Sequence, residues 1–334
     1  MTLLTKLRGL STPLLTLAGI GLGAALSGAL APASAADKVK VGVFPISSSL
    51  PYFVAIEKGL FKEVDIEVET SKLMGGPPNV AALMTGQIDV SAVLVTLEGL
   101  NANIKKPGVA MYIAMHSQTS TWKMEQFVVR TGVKVESLAD FKGLKLMSAP
   151  GPANLNTAKG ILAKIGLKAG DYTIDQLDMG QHVAAMKGGT FDGGYTLEPG
   201  ATIMQKLGVA KVLEAGVIAK YILGDSQADA WAAGCAFSSD FIKARPDVAK
   251  RFAAAWAKAI DYIRANPAAA QKYLAKNTMT PDDLVDVVPP LGYRMVKDFS
   301  PKQMAYLQTF ADFGTEVGVV PEKVDVKKYI VTSF

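Results

Sequence analysis

Apolar and polar residues alternate along the first part of the chain with two periods, one typical of strands and one typical of helices. The segments KVKVGVF, VDIEVET and IDVSAVLV predict strands, and the last is nearly all apolar, as expected for a strand buried on both faces. Between them, PYFVAIEKGLF and GGPPNVAALMTG predict helices with proline near the start and glycine near the end. Strands and helices in this alternating order predict a parallel α/β sheet.

The same order of predicted elements returns beyond residue 130, in KLMSAP, NLNTAKGILAKIGL, YTIDQLD, HVAAMKGG and FDGGYTL. Two segments also match in register: NVAALMTGQIDV, which starts at Asn79, and HVAAMKGGTFDG, which starts at His182, share Val, Ala, Ala, Gly and Asp. Each segment occupies the second helix and the third strand of its half. The sequence therefore predicts two α/β halves built on one plan.

The rest of the chain is predicted to be mostly helical and structural. DVAKRFAAAWAKAIDYIR carries one apolar stripe, and Ser300 with Gln303 three residues later is typical of a capping box at a helix start. The apolar segments EQFVVR and DAWAAGCAFSSDF are predicted to cross between the two halves.

The first 35 residues have the pattern of a secretory signal peptide. Lys6 and Arg8 precede a long apolar stretch that ends in Ala33, Ser34 and Ala35. An uncleaved membrane anchor is the alternative, but the glycines of the stretch and its small-residue ending favour cleavage after Ala35. No cysteine follows the cleavage site to carry a lipid, so we expect an exported protein retained in the periplasm.

Composition and charge argue against several classes of function. Hydrophobic residues make up 49% of the chain and charged residues 19%, as in ordinary globular proteins. The net charge of +5 becomes 5 − 2 = +3 without residues 1–35, which gives no support for nucleic-acid binding. Cys235 is the only cysteine, and His116 and His182 are the only histidines. Because hydrolase, zinc-protease and nucleotide-loop motifs are also missing, we predict no enzyme, no cofactor and no metal site.

Several motifs follow one another in an order found in a known family: PYFVAIEKGLF, ALMTGQIDV, FVVR with VESLADFKGLKL, ILAKIGLKAGDY, AAMKGGTFD, LEPG, FIKARPDVAKRF and AIDYIRANPAAA. This order resembles the periplasmic substrate-binding proteins of ABC transporters, of the nitrate, sulfonate and taurine type. The resemblance implies an α/β, two-lobed periplasmic-binding-protein fold of type II, with two parallel-type sheets flanked by helices and joined by two crossing strands. It also implies a monomer that passes a small solute to an ABC permease in the inner membrane.

The resemblance divides the mature chain into lobes. Residues 36–129 are expected to form the first part of lobe 1 and residues 130–231 lobe 2, while residues 232–334 return to lobe 1 and add C-terminal helices. In open parallel sheets, ligands bind beyond the carboxyl ends of the strands, where loops lead into helix N-termini. We therefore expect a solute between two such edges, one from each lobe.

Eight residues of lobe 1 that follow predicted strands are candidates for ligand contact: Ser47, Ser48, Ser49, Tyr52, Gly75, Gly76, Thr96 and His116. The serines offer hydroxyl and backbone donors, and the glycines let the backbone approach a ligand closely. The prolines that follow the two glycines lack amide donors, so that segment can instead serve only to start a helix. A polar surface loop is the alternative for the serines, and a plain strand edge for the histidine.

Five later residues complete the candidate set: Gly151, Asn154, Tyr195, Glu198 and Trp231. An ordinary helix cap is the alternative for the asparagine, and core packing is the alternative for the tryptophan. The glutamate can pair with an amine of the ligand or, as we favour, with a lysine of the protein.

None of these loops contains arginine, so an anion would be held by amides, hydroxyls and helix ends. This favours a small organic anion, namely a sulfonate, a taurine-like molecule or a carboxylate, over a phosphate. A periplasmic sensor subunit for the same solutes is the first alternative function. An enzyme similar to the pyrimidine synthases of thiamine biosynthesis is the second, but those enzymes are intracellular and cysteine-rich in one segment.

Overall fold

Two mixed β-sheets organise the computed structural model, which describes residues 35–334. The first sheet has six strands in the order β11-β4-β10-β3-β1-β2. In chain order its members are β1 (Asp37–Val43), β2 (Ile66–Lys72), β3 (Val90–Val95), β4 (Met111–Gln118), β10 (Ala230–Phe237) and β11 (Gly292–Met295). The predicted strands KVKVGVF, VDIEVET and IDVSAVLV are β1, β2 and β3.

The second sheet has five strands in the order β7-β6-β8-β5-β9. In chain order its members are β5 (Glu125–Arg130), β6 (Lys145–Ser148), β7 (Thr173–Gln176), β8 (Gly193–Leu197) and β9 (Ala210–Ala215). The strands predicted from the second copy of the pattern are β6, β7 and β8.

The two sheets share one plan, as the repeated sequence pattern predicts. In the first, β2, β1 and β3 are parallel, β10 runs antiparallel beside β3, and β4 follows β10. In the second, β7, β6 and β8 are parallel, β5 runs antiparallel beside β8, and β9 follows β5. The antiparallel strands β5 and β10 are the segments predicted to cross between the halves. Their pairing makes each sheet mixed, where the sequence predicts parallel sheets.

The chain passes from the first sheet to the second at residues 119–124 and returns at residues 222–229, between α7 (Val217–Tyr221) and β10. The whole of β5 therefore lies in the second sheet and the whole of β10 in the first, whereas the sequence-based division at 129/130 and 231/232 assigns most of β5 to lobe 1 and the start of β10 to lobe 2. An apolar strand pattern marks a buried strand but does not show which sheet it pairs with, so the boundaries predicted from the sequence fall a few residues late.

Helices cover both sheets: α1 (Leu50–Glu57), α2 (Gly76–Thr85), α3 (Thr96–Lys105), α4 (Pro152–Lys164), α5 (His182–Lys187), α6 (Gly200–Lys206), α7 (Val217–Tyr221), α8 (Ser239–Ala244), α9 (Pro246–Ala265), α10 (Pro267–Gln271), α11 (Tyr273–Asn277) and α12 (Pro301–Glu316). The predicted apolar stripe of α9 is buried, and its Trp256 and Phe252 pack against Tyr52 and Phe61. The predicted capping box of Ser300 and Gln303 is present at the start of α12.

Helix α12 lies across the boundary between the two sheets. It packs against β10 and α3 on the side of the first sheet. On the other side, a Cβ added to Gly160 of α4 would lie 2.6 Å from the ring of Phe313, so helix and ring are in close contact. The C-terminal helix thus supports both sheets.

The predicted signal peptide, residues 1–35, lies almost entirely outside the described residues. Within residues 35–334, none of the helices is both long and apolar enough to cross a membrane. Cys235 is buried in β10, as its apolar neighbours predict.

Candidate functional site

The carboxyl ends of the parallel strands in the two sheets face each other and touch. After β1, the backbone N–H of Ser47 donates to the carbonyl of Glu198, which follows β8, at 3.4 Å. Gly75, which precedes α2, lies against Pro150, which precedes α4. The two halves are therefore in contact where the sequence predicts a solute, between their strand ends. We call this region, where the loops after β1 and β2 meet those after β6 and β8, the junction.

A cluster of hydroxyl and imidazole groups lies at the ends of β1 and β4. Ser48 Oγ is 3.5 Å from His116 Nε2 and also 3.5 Å from the sulfur of Met124, which precedes β5. Tyr293 donates its hydroxyl hydrogen to the carbonyl of Ser47 at 2.9 Å. Burial lowers the pKa of His116 to about 3, so its ring is neutral at pH 7 and can act as donor or acceptor.

A second polar group joins the end of β4 to the start of β5. The backbone N–H of Glu125 donates to Gln118 Oε1 at 3.3 Å. The hydroxyl of Tyr195, on β8, donates to a carboxyl oxygen of Glu125. Burial raises the pKa of Glu125 to about 7, because a carboxylate loses its hydration there.

A third group is centred on Glu98, in the first turn of α3. Its side chain reaches from the first sheet to the start of α4, where Oε1 accepts from the backbone N–H of Ala153 at 3.3 Å. Burial raises the pKa of this carboxyl to about 7 as well. The carboxyl lies against Gly76 and Gly151, because a Cβ on either glycine would overlap its oxygens.

Among residues 35–334, four buried side-chain nitrogen or oxygen atoms have no hydrogen-bond partner: Ser47 Oγ, Glu98 Oε2, His116 Nδ1 and Gln118 Nε2. All four follow or end β1, β3 and β4 at the junction of the sheets. Buried polar groups are normally bonded, and leaving one unpaired costs about 1–3 kcal/mol. Together these atoms can donate to an acceptor and accept from a donor, which is what a small polar solute would supply.

Several predicted site residues are instead engaged in packing or in hydrogen bonds with other parts of the protein. Tyr52 is buried among aromatic rings, and its hydroxyl forms a hydrogen bond with Thr70 Oγ1 at an oxygen–oxygen distance of 2.6 Å. Ser49 Oγ donates to the carbonyl of Phe44, and Thr96 Oγ1 donates to the carbonyl of Trp231. These contacts tie elements of the first sheet to one another.

Two predicted residues of the later segments also have structural partners. Asn154 lies inside α4, whose N-cap is Gly151, and its side-chain amide donates to the carbonyl of Pro150 at 2.7 Å, so it is not the helix cap considered as its alternative. Trp231 stacks on Phe299 with ring centroids 4.4 Å apart, and its indole N–H donates to the carbonyl of Gln303. In this structure Trp231 therefore packs in the core, which is the alternative to ligand contact considered from the sequence.

Glu198 is buried with both carboxyl oxygens occupied. One accepts from the side chain of Gln126, and the other accepts from the backbone N–H of Thr202 at 3.2 Å. The lysine partner expected from the sequence is not among these bonds. Burial raises the pKa of this carboxyl too, to about 7.

The sequence interpretation missed Glu98, Gln118 and Glu125. A signal for Glu98 was present, because Thr96-Leu97-Glu98 at the end of β3 repeats as Thr196-Leu197-Glu198 at the end of β8. The same reasoning that selected Glu198, an acidic residue after an apolar strand, applies to Glu98. No sequence pattern marks Gln118 and Glu125, because they become neighbours only where the chain passes from β4 in the first sheet to β5 in the second.

No group of three or more histidine, cysteine or acidic side chains placed to hold a metal ion was found within the described chain, residues 35–334.

Comparison with known proteins adds a family and a fold. The NMT1-like family matches residues 33–279. No curated protein sequence matches the chain. Solved structures that resemble it include the alkanesulfonate-binding protein SsuA from Xanthomonas axonopodis pv. citri bound to MOPS. That structure has a TM-score of 0.71 and 19% identity, over 90% of this chain and 99% of that one.

Two further similar structures differ in function from each other. The periplasmic nitrate-binding protein NrtA from Synechocystis PCC 6803 has a TM-score of 0.69 and 15% identity, over 89% of this chain and 86% of that one. The desulfurization enzyme DSZB has a TM-score of 0.64 and 15% identity, over 89% and 97%. At this level of identity the likeness shows the fold alone, and it confirms the predicted periplasmic-binding-protein fold.

Proposed function

The chain belongs to the NMT1-like family, and from this premise we propose that it is the periplasmic solute-binding component of an ABC importer. The observation that carries the proposal is the set of four unpartnered buried polar atoms where the two sheets meet. A protein that only needed to be stable would pair or replace such groups. A small solute enclosed between the sheets would supply the missing hydrogen bonds.

The proposed mechanism is closure of the two sheets around the solute. Within residues 35–334 the chain passes between the two sheets twice, at residues 119–124 between β4 and β5 and at residues 222–229 between α7 and β10. Short connections of this kind absorb hinge rotation while the sheets move as rigid bodies. The closed form would then be recognised by an inner-membrane permease, with the protein acting as a monomer.

The proposed solute is a small organic molecule with an acidic group, such as a sulfonate, a taurine-like molecule or a carboxylate. The amide of Gln118 and the hydroxyl of Ser47 are unpartnered donors for acid oxygens, and neutral His116 can add a third. Hydroxyl and amide donors suit an acid of single charge better than a phosphate, which is usually bound by several guanidinium groups.

The proposed location is the periplasm, reached through a signal peptide cleaved after Ala35. The support is the charged start, apolar stretch and small-residue ending of residues 1–35. N-terminal sequencing of the exported protein should begin at Ala36, and an uncut chain in the membrane fraction would contradict this.

We further propose that the protein is not an enzyme, although one protein of similar fold is. Burial raises the pKa of the Cys235 thiol far above its usual value, so the nucleophilic thiolate is strongly disfavoured. His116 and His182 are buried, and burial lowers the pKa of both, to about 3 and about 4. Turnover of a bound solute by the purified protein would contradict this proposal.

The test of solute binding is isothermal calorimetry of the mature protein with sulfonates, taurine, nitrate, aromatic carboxylates and thiamine-precursor pyrimidines. We expect at least one to bind, and Gln118→Ala to weaken that binding by about tenfold, as loss of one hydrogen bond predicts. Gln87→Ala, at an exposed glutamine before the amino end of β3, is the matched control. Failure of folded protein to bind any member would contradict the proposal, and a sensor role would be distinguished by the absence of permease and ATPase genes nearby.

A further inference from the structure

Glu98 joins the two sheets in the part of the junction where helices α2 and α4 begin. Its side chain is only 5% exposed. Oε1 bonds to the backbone N–H of Ala153 in α4, and the carboxyl fills the space that side chains would need at Gly76 and Gly151. A carboxylate of the protein itself therefore occupies the position between two helix N-termini.

Helix N-termini normally bind anions through their free N–H groups. Here prolines remove several of these donors, because Pro77 and Pro78 follow Gly76 in α2 and Pro152 begins α4. Glu98 Oε2 consequently has no partner, although it points at the start of α2. An acid group of a solute would meet a like charge and too few donors at this end of the junction.

No lysine, arginine or histidine side chain within residues 35–334 forms a hydrogen bond or ion pair with Glu98. The only protein contact that favours its charged form is the N–H of Ala153, and burial opposes that form more strongly. A buried carboxylate without a cation is unfavourable unless a charged or hydrogen-bonding partner arrives. The missing partner is a donor, preferably a positively charged one.

The other unpartnered atoms lie on both sides of Glu98 along the edge of the first sheet. Glu98 follows β3, whereas Ser47 follows β1 and His116 and Gln118 end β4, and the strand order is β4-β10-β3-β1. This edge therefore offers an acceptor at its centre and groups able to donate beside it. Such an arrangement matches a solute that carries an N–H donor and an acid group on one small frame.

We propose that Glu98 is a specificity-determining residue that selects solutes with a protonated amine or a comparable N–H group, which binds Oε2. The acid group of the same solute binds the serine, histidine and glutamine donors. The inference rests on the proposed solute-binding function and makes it more specific, because a simple anion lacks the group that Glu98 requires.

The test uses pairs of probes that differ only in an amine or a hydroxyl group. The pairs are taurine with isethionate, β-alanine with 3-hydroxypropionate, and 4-(aminomethyl)benzoate with 4-(hydroxymethyl)benzoate, measured by isothermal calorimetry at pH 8, where Glu98 is ionised. We expect the amine member of at least one pair to bind the native protein about 30-fold more tightly than its partner, since truncating a buried charge pair typically costs this much or more.

Glu98→Gln should remove most of that preference, because it keeps the shape and loses the charge. Affinity for the hydroxyl members should change by less than about threefold. The matched control is Glu63→Gln, which removes the same charge at the exposed partner of Lys258 and should keep the native preference. Thermal unfolding of each variant shows that it is folded.

The possible outcomes separate the two proposals. Equal or tighter binding of the hydroxyl members or of simple anions by the native protein would overturn the role of Glu98 and leave solute binding intact. An unchanged amine preference in folded Glu98→Gln would do the same. If the native protein binds no probe of this panel or of the wider panel above, solute binding itself fails and this inference fails with it. The comparison of pairs on the native protein needs no variant, so a variant that does not fold leaves the test decisive.

Discussion

At the scale of single residues, buried ionisable groups decide how this protein responds to pH. Burial raises the pKa of Glu98, Glu125 and Glu198 from 4.5 to about 7 in each case. Burial also lowers the pKa of His116 and His182 from 6.5, to about 3 and about 4. For each glutamate, a pKa shift of this size means that folding favours the protonated over the ionised carboxyl by roughly 3 kcal/mol. The free energy of unfolding should therefore depend strongly on pH.

These shifts predict a characteristic pH dependence for the free energy of unfolding of the solute-free protein. Between pH 7 and pH 4.5 the folded protein holds protons on the three glutamates that the unfolded chain has lost, so their effect stabilises the protein as pH falls. Below pH 6.5 the two histidines act in the opposite direction, because only the unfolded chain binds their protons. Between pH 6.5 and pH 4.5 three glutamates outweigh two histidines, so stability should rise from pH 8 to about pH 5 and fall below about pH 4.5.

Thermal unfolding followed by circular dichroism at constant ionic strength measures this dependence. The variant Glu98→Gln/Glu125→Gln/Glu198→Gln should lose the rise between pH 8 and pH 6.5, because its side chains at these positions do not titrate. A melting temperature of the native protein that is highest at pH 8 would show that the carboxyls are not desolvated as the structure indicates.

At the scale of elements, the start of α2 is shaped by the carboxyl of a neighbouring helix. Gly76 is the first residue of α2, and no methyl group fits at its Cα because Glu98 fills the space. The backbone of Gly76 lies outside the left-handed region, so lack of space alone requires glycine there. This differs from Gly75 and Gly151, which also have positive φ values of 96° and 99°.

Gly76→Ala should therefore destabilise the protein by about 1–3 kcal/mol, the usual cost of forcing a group into a filled space. Added to Glu98→Ala, the change Gly76→Ala should lower the free energy of unfolding much less than it does in the native protein, because the carboxyl that causes the overlap is gone. Urea unfolding of the four proteins, native included, gives the coupling between the two sites.

Gly180→Ala is the control for this cycle, since a Cβ there would meet only the sulfur of Met279 at 3.8 Å and its backbone needs no positive φ. It should change the free energy of unfolding by less than about 1 kcal/mol. Additive effects of Gly76→Ala and Glu98→Ala would mean that the carboxyl does not occupy the start of α2.

At the scale of the whole molecule, the proposed function requires the two sheets to separate and close. In the structure they meet through the loops before α2 and α4, and a Cβ built on Gly75 lies 3.7 Å from the Cβ of Pro150. This separation suits a disulfide, which needs roughly 3.5–4.5 Å between the two Cβ atoms. Cys235 is buried and should not interfere with an engineered pair.

The variant Gly75→Cys/Pro150→Cys should consequently exchange solute much more slowly when oxidised than when reduced, because the bond holds the junction closed. Stopped-flow measurement of solute association, using a solute found by calorimetry, compares the two states. The single variant Gly75→Cys controls for the cost of cysteine at a positive φ. Equal rates in the oxidised and reduced forms, with the disulfide confirmed by mass spectrometry, would contradict a closing motion at these loops.

Much of this molecule follows from local sequence patterns. The alternation of apolar residues identifies β1, β2, β3, β6, β7 and β8, and the repeated segments indicate that two halves follow one plan. The capping box of α12 and the buried stripe of α9 were predicted for the same reason. The alternation of strand side chains, the helical period and helix caps all depend on residues close together in the sequence. The local pattern of one sequence is therefore sufficient to predict them.

Tertiary structure alone decided which polar side chains meet. Tyr52, Thr96 and Trp231 follow or flank strands as ligand-binding residues would, yet their hydrogen bonds and ring contacts lie within the protein. Glu98 meets Gly76 and Gly151 only because strands more than fifty residues apart bring two helix starts together. The sequence by itself determined the elements and their duplication, whereas the unpaired groups at the junction depend on long-range pairing of sheets, which no local pattern encodes.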